Sequence, residues 1–488
     1  MIVARLHHGQ LAVVDRLREM VRLASGLSAQ GDLDDDSQQR ALDCLRRFGQ
    51  RLRDMQAHQV RVVGTSALRR ARHADAFLAA AEAALGHPVE VISGVEEARL
   101  IYLGVSRHAD RGPGTTLVVD VGGGSTELIV GEGDEPRRLE SLKIGCVGIS
   151  EQFFDGGRLS QRRFDRARLE VRRELRAAAG AFKRLGWTHA IGSSGTVRTA
   201  GDVAQALGAA DRGVTPQALD GIIGRMIDAR RLSALKLPGL GPDRAPVFAG
   251  GVAILAEVMS ELGIERLEVS EGALREGLLY DILGRLRHDD AREVSVRAMQ
   301  RRYHVDQEQA ERVAATAELL LSKVDRSWAL GEPRYGQLLR WAAALHEVGL
   351  DIAHSKYHQH GGYLLAHADM PGFVRLEQQL LATLVASHRR KLDMLTIERL
   401  PASWRLPLSR LIVLLRLAVL LNRGRSGADV DELCVETGER ALTLELPEQW
   451  FERNPLTHAD LDQERLWLEA AGFDLRLGTL PRQEASAS

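Results

Sequence analysis

The run Val118-Val119-Asp120-Val121-Gly122-Gly123-Gly124-Ser125-Thr126-Glu127-Leu128 sets three consecutive glycines between two carboxylates. An apolar strand delivers Asp120, the glycines let backbone N–H groups approach an anion, and a second strand returns with Glu127. Gly122, Gly123, Gly124 and Ser125 together make a cradle that can hold phosphate oxygens without a lysine. Asp120 and Glu127 are hard oxygen ligands of the kind that suit a hydrated magnesium ion. A ligand-free glycine hairpin would spend conformational entropy for no structural return.

Three weaker signals accompany the cradle. Ile92-Ser93-Gly94-Val95-Glu96-Glu97-Ala98-Arg99 ends a strand on Ser-Gly and opens a helix with paired carboxylates, one of which has the chemistry of a general base for water. Carboxylates in a first helical turn also occur for dipole reasons alone. Gly64-Thr65-Ser66-Ala67-Leu68-Arg69 closes a strand into a loop bearing hydroxyls and a fork-shaped cation suited to phosphate. Ser194, Gly195 and Thr196, in Gly192-Ser193-Ser194-Gly195-Thr196, offer a second N–H-rich loop. All four lie at strand ends, where ligands bind in α/β sheets.

The elements that carry them alternate strand and helix, the pattern of a mixed or parallel sheet covered by helices. Two β-rich runs join at His7-His8-Gly9-Gln10, and Leu42, Leu45, Phe48, Leu52 and Met55 fall on one face of a helix. The Gly/Pro-containing stretch from Ser106 to Gly114 reads as a linker. A long helix is expected from about Gln161 to Leu185 and another near Leu274 to Leu286. These signals divide the 488 residues into an α/β domain at 1–105, a second at 106–289, an almost wholly helical domain at 290–425, a small α+β domain at 426–480 and a frayed tail at 481–488.

A formal net charge of -1 argues against a protein that coats itself in nucleic acid, so any polyanion site must be local. Cys44, Cys146 and Cys434 form neither a disulfide pattern nor a metal motif, which suits a reducing cytoplasm, and all three read as core filler. Met1-Ile2-Val3-Ala4-Arg5 lacks the charged-then-apolar pattern of a signal peptide and reads as a strand, so export is not expected. The longest apolar run, Leu411 to Leu421, is broken by Arg416 and reads as a buried helix, not a transmembrane segment.

The series VVGTSALR, ISGVEEARLIYLGV, LVVDVGGGSTELIVG, IGSSGTVRTA and LEVSEGALREGLLYDIL resembles, in order, the exopolyphosphatase and guanosine pentaphosphate phosphohydrolase family. The resemblance spans essentially the whole chain. It implies an actin-like pair of α/β domains (the acetate kinase, sugar kinase, heat-shock and actin superfold), followed by a helical domain like the His-Asp metal phosphohydrolases and the α+β tail. It implies a homodimer, Glu97 as the base, Arg69 on the terminal phosphate, and Asp120 and Glu127 organising magnesium. Exopolyphosphatase is the leading expectation and guanosine pentaphosphate phosphatase the alternative. A noncatalytic binder of either anion is a further alternative, and an actin-like sugar or acetate kinase a more distant one.

Two departures stand out. Family members begin with a strand and an Asp-x-Gly-Ser-Asn-Ser loop before the segment matching Met1-Ile2-Val3-Ala4-Arg5, which predicts a rearranged sheet edge and feeble hydrolysis here. In the helical domain, the four His-Asp ligand places resemble Gln309, His346-Glu347, and Val419 or Asn422, so a degenerate scaffold is expected there despite a concentration of histidines. The run His388-Arg389-Arg390-Lys391 reads equally as a solvated face or as a basic lining for a long polyphosphate.

Overall fold

The computed structural model describes residues 1–7, 10–28, 30–108, 114–209, 213–286, 290–425 and 432–480. Its contacts group the chain into two compact units, Met1–Ala291 and Arg292–Ser488.

In the first unit, β1 (Ile2–His7) and β2 (Gln10–Arg16) pair antiparallel, while the two-residue strands β3 (Val63–Gly64) and β4 (Glu90–Val91) pair parallel. These are separate two-stranded sheets, and the predicted turn residues His8 and Gly9 lie outside the described residues. Leu6, Val13 and Val14 on the hairpin are exposed. The expected amphipathic helix spans Asp35–Leu52, with Asp34 accepting a cap hydrogen bond from the Ser37 N–H at 2.6 Å, and it stops short of Met55.

The larger sheet has the order β7-β6-β5-β8-β9, built from β5 (Thr115–Val121), β6 (Thr126–Glu132), β7 (Glu135–Leu142), β8 (His189–Ser193) and β9 (Glu268–Val269). β5 is central because its run LVVDV is buried throughout, as a strand covered on both faces must be. The helices Gln161–Leu185 and Leu274–Leu286 have the predicted bounds. Ala245–Leu262, the one described helix long and apolar enough to cross a membrane, is mostly buried in this unit's core.

The Gly94–Ser106 helix is locked to Leu274–Leu286. A side chain on Gly277 would start 1.8 Å from the Leu100 carbonyl oxygen, and one on Gly104 would start 2.1 Å from that of Ala273, so only hydrogen lets the backbones approach. A buried charge network reinforces the contact. Arg99 pairs with Glu96 and Asp281, and Arg61 pairs with Glu90 and Asp281. Burial would raise the Asp281 carboxyl, but Arg99, Arg61 and Arg285 outweigh it and hold the group below the usual carboxylate range.

The second unit packs the helices Gln307–Val324, Pro333–Leu345, Arg375–Ser387 and Ala402–Leu421 around one apolar core. The sheet of β10 (Cys434–Gly438), β11 (Ala441–Pro447) and β12 (Asp474–Leu480) adds Leu442, Leu444, Leu446 and Leu475 to that core. Arg416, which interrupts the long apolar run, is fully buried. It pairs with Glu464 and donates to the carbonyls of Ser387 at 2.5 Å and Arg390 at 2.6 Å. Cys44 and Cys146 are buried, but Cys434 is exposed on the first strand of this sheet and is not core filler.

Asp281→Ala removes a buried carboxylate that both Arg61 and Arg99 contact, leaving them only Glu90 and Glu96, and should cost the first unit about 3–5 kcal/mol, the usual cost of breaking a buried pair. Urea unfolding followed by circular dichroism checks this; an unchanged midpoint would show that Glu90 and Glu96 satisfy both arginines.

Candidate active site

The β5–β6 turn presents the cradle. Gly122, Gly123 and Gly124 all lie outside the left-handed region, so their absent side chains serve close approach and not turn geometry. A Cβ on Gly124 would lie 2.6 Å from Ser66 Oγ, and one on Gly145 would lie 2.3 Å from the Gly123 carbonyl oxygen. The Gly122 N–H donates to the Ser125 carbonyl at 2.9 Å, which removes it from the anticipated phosphate donors. The N–H groups of Gly123, Gly124 and Ser125 have no hydrogen-bond partner among the described residues and remain available.

The second loop stands beside it. β8 runs parallel to β5, and the Ser194–Ala206 helix starts at its end, with Ser194 at a φ of 91°. Ser194, Gly195 and Thr196 form the first helical turn, whose N–H groups lack helical acceptors. The Thr196 hydroxyl is committed, donating to the Val121 carbonyl at 2.9 Å and tying the two loops together.

Arg69 lies on a short helix, Ser66–Arg70, and not in a loop. Its Nη1 donates to Glu97 Oε2 at 2.7 Å and to the Ile92 carbonyl at 3.1 Å. Ser93 caps the Gly94–Ser106 helix by accepting from the Glu96 N–H at 3.0 Å, which presents Glu96 and Glu97 in the first turn. The pair then diverges: Glu96 points into the buried network with Arg99, whereas Glu97 faces Arg69. This separates the two candidate bases, which spacing alone left equivalent.

Three carboxylates converge. Asp120 and Glu127 are direct partners across the β5–β6 ladder, and Ser141 on β7 donates to Glu127 Oε1 at 2.9 Å. Burial pushes Asp120 up to about 6, and the Glu97 charge adds to the shift. Burial, then Glu97 and Asp120, push Glu127 well above its ordinary range. Glu97 is also raised, because burial outweighs the nearby Arg69.

Several cations beside these loops are not singled out in the sequence, although Arg198 and Arg275 fall within the motifs IGSSGTVRTA and LEVSEGALREGLLYDIL. Arg244 lies over Gly195, its Nη2 1.8 Å from where a Gly195 side chain would begin. Burial lowers the Arg244 guanidinium, and Arg18 and Arg198 lower it further; Arg275 is lowered by burial and by Arg198, Arg18 and Arg16. Arg18, Arg198, Arg244 and Arg275 have no ion-pair partner among the described residues. Arg70 also approaches the cradle, its Nη1 4.0 Å from the position of a Gly124 Cβ.

Residues 2–286 match the Ppx/GppA phosphatase family, and residues 291–465 match Ppx/GppA phosphatase, domain III. This chain belongs to the Ppx/GppA phosphatase family. It is 39% identical over 478 residues to a guanosine-5'-triphosphate,3'-diphosphate pyrophosphatase of Aeromonas hydrophila, covering 98% of this chain and 96% of that protein. The protein of the same name from Photobacterium profundum is 38% identical over 477 residues, covering 98% and 95%. Among solved structures, an exopolyphosphatase-like protein at 26% identity aligns over 58% of this chain and 94% of its own with a TM-score of 0.51. An exopolyphosphatase from Cytophaga hutchinsonii, at 23% identity and a TM-score of 0.52, covers 58% and 93% and shares the fold. Like its relatives, this Ppx/GppA member is a phosphoanhydride hydrolase with an actin-like fold followed by a helical domain III and an α+β region.

In domain III the His-Asp ligand places engage one another. Gln309 Nε2 donates to the Asn422 carbonyl at 2.8 Å, Asn422 Nδ2 donates to Thr316 Oγ1 at 2.8 Å, and Glu347 pairs with Arg425 at 2.6 Å. Val419 is partly buried against the core. The anticipated basic run is not one surface. His388 is buried between Val385 and Tyr357, because it ends its helix with Nδ1 on the Val385 carbonyl at 2.6 Å. Arg389 stacks 4.7 Å over the Tyr357 ring, while Arg390 and Lys391 are exposed.

Two pH dependences follow, of opposite sign. The raised carboxylates bind more protons folded than unfolded, so the metal-free protein loses stability as pH rises from about 4.5 through their folded pKa values. Glu127→Gln should therefore melt about 2–4 °C higher than the parent chain at pH 7.5 without divalent cations, the difference shrinking toward pH 4.5. A lower melting point at pH 7.5 would mean the protein already neutralises Glu127. Conversely, burial lowers His346, His358 (to about 4) and His388, so the unfolded state binds more protons below its pKa of roughly 6.5. Domain III should lose stability as pH falls from 6.5 toward 4. Five of the six tryptophans lie in the unit Arg292–Ser488 that contains domain III, so denaturant midpoints read by tryptophan fluorescence at pH 7.5 and 5 test it; equal midpoints would remove the imidazoles as the cause.

Proposed function

We propose that this chain removes the terminal 5'-phosphate of guanosine 5'-triphosphate,3'-diphosphate. The observation that carries the reading is its 38–39% identity, over nearly its whole length, to proteins bearing that substrate's name. The four unpaired arginines Arg18, Arg198, Arg244 and Arg275 support it. A substrate with phosphates on both sides of a ribose needs cations beyond those at the reacting phosphorus, and guanidinium forks match phosphate oxygens. Inorganic polyphosphate, the leading expectation from sequence, is the second reading. It is weakened by His388, whose burial removes one member of the run considered for a polymer lining.

The terminal phosphate would sit on the N–H groups of Gly123, Gly124 and Ser125, with those of Ser194, Gly195 and Thr196 opposite. Arg69 would transfer from Glu97 to the phosphate, which frees Glu97 to accept a proton as water attacks in line and the bridging P–O bond breaks. Orthophosphate leaves and the nucleotide retains two diphosphates. Asp120 and Glu127 are buried hard-oxygen donors without a cation of their own, and this donor set fits magnesium. Among the described residues no three His, Cys, Asp or Glu side chains enclose an ion, but a hydrated magnesium needs only one or two carboxylates. When bound, the ion would neutralise charge on the phosphate oxygens.

Glu97→Gln keeps size and polarity but removes proton acceptance, and should lower phosphate release by about two to four powers of ten with binding retained. Comparing kcat/KM for the nucleotide and for long-chain polyphosphate in the parent chain separates the two substrates. The nucleotide should lead by tenfold or more, about 1.4 kcal/mol in transition-state binding, and a preference for polyphosphate would overturn the assignment.

A further inference from the structure

The first unit has a second concentration of unpaired arginines, built from elements that do not form the cradle. A groove of about 480 Å³ lies where the Gln161–Leu185 helix begins and the Pro216–Ala229 helix ends. Its lining contains four arginines, Arg158, Arg163, Arg230 and Arg231, together with Ser160, Leu159 and Ile227, and no carboxylate. This volume falls in the roughly 300–1,000 Å³ range of small-ligand sites.

The arrangement works against stability. Arg158 and Arg231 are partners in an antiparallel bridge, and like charges placed directly opposite destabilise such a pair. Between the two segments, Arg230 has a φ of 59° and its carbonyl accepts from the Leu159 N–H at 2.8 Å. The Gln161–Leu185 helix carries no acidic residue in its first turn and no side-chain cap on Ser160; Arg163 stands there instead, the wrong sign for the positive end of a helix. The negative end of Pro216–Ala229 favours Arg230 and Arg231 but leaves Arg158 and Arg163 unexplained. Further along the same long helix, Arg168 and Arg172 both pair with Glu257, so arginine there is ordinarily neutralised. Among the described residues, Arg158, Arg230 and Arg231 have no side-chain hydrogen bond or ion pair, and Arg163 donates only to the Phe153 carbonyl at 2.5 Å.

We propose that this groove is a second anion site that binds a multiply phosphorylated ligand, separate from the cradle. Guanidinium forks match phosphate oxygens two at a time, and several of them around one groove select a di- or oligophosphate over a single small anion. Ile227, partly buried at the groove, is the apolar side chain a nucleoside could lie against, since Leu159 is taken up in the core. The proposal stands whichever substrate the cradle takes.

The test is isothermal titration of the full chain with pyrophosphate and, separately, with GDP at fixed ionic strength, comparing the parent with Arg158→Ser/Arg231→Ser. The double variant should lose one equivalent of bound pyrophosphate and keep the parent's kcat. Without ligand it should melt at or above the parent temperature, since a repulsion has been removed. Loss of an equivalent for pyrophosphate and GDP alike identifies the phosphate arm as what is recognised; loss for GDP alone identifies a nucleotide. The same number of equivalents in parent and double variant for both probes overturns the proposal. So does a lower melting temperature, which would show that the protein itself holds the two arginines.

Discussion

Glu97, Asp120 and Glu127 are buried close enough for their charges to oppose one another, and that constraint runs through the first unit. Burial raises all three, and Arg69, the one cation among the described residues in an ion pair with any of them, does not reverse the shift on Glu97. The cost is tolerated because each carboxylate comes from a rigid element: Asp120 and Glu127 from adjacent central strands, Glu97 from the capped start of a helix.

The Gly94–Ser106 helix shows how that strain is carried. Its first turn offers two neighbouring carboxylates, and the fold gives them different fates. Glu96 is neutralised in the network with Arg99, Arg61 and Asp281, which joins the helix to Leu274–Leu286. Glu97, one residue on, is left to the cleft. A carboxylate inside the charge network and one outside it therefore share a turn, and the backbone contact through Gly104 and Gly277 holds that helix against Leu274–Leu286.

The actin-like unit and domain III place buried titratable groups under opposite pressures. The first unit collects acids whose pKa burial raises, whereas domain III collects imidazoles whose pKa burial lowers. In domain III, the positions corresponding to His-Asp ligands bond to one another and to Arg425, so their polarity is spent on holding helices together.

The sequence alone determined the glycine-rich turn between β5 and β6, the order of elements and the family. Three glycines between two carboxylates on apolar strands have few other uses, and the alternation of periods two and 3.6 is a local property of the chain. It also located the Gln161–Leu185 and Leu274–Leu286 helices, because long periodic segments carry their own boundaries. Tertiary structure decided which N–H groups stay free, which of Glu96 and Glu97 faces the cleft, and that Arg69 meets Glu97 before any phosphate. It also decided that His388 is buried apart from its basic neighbours. Arg244 over Gly195 and its electrostatic neighbours Arg18, Arg198 and Arg275 come from separate parts of the chain, and no single local pattern links them. A single arginine reads as a solvated charge in sequence; only folding shows whether a carboxylate neutralises it or whether it is left facing its own kind.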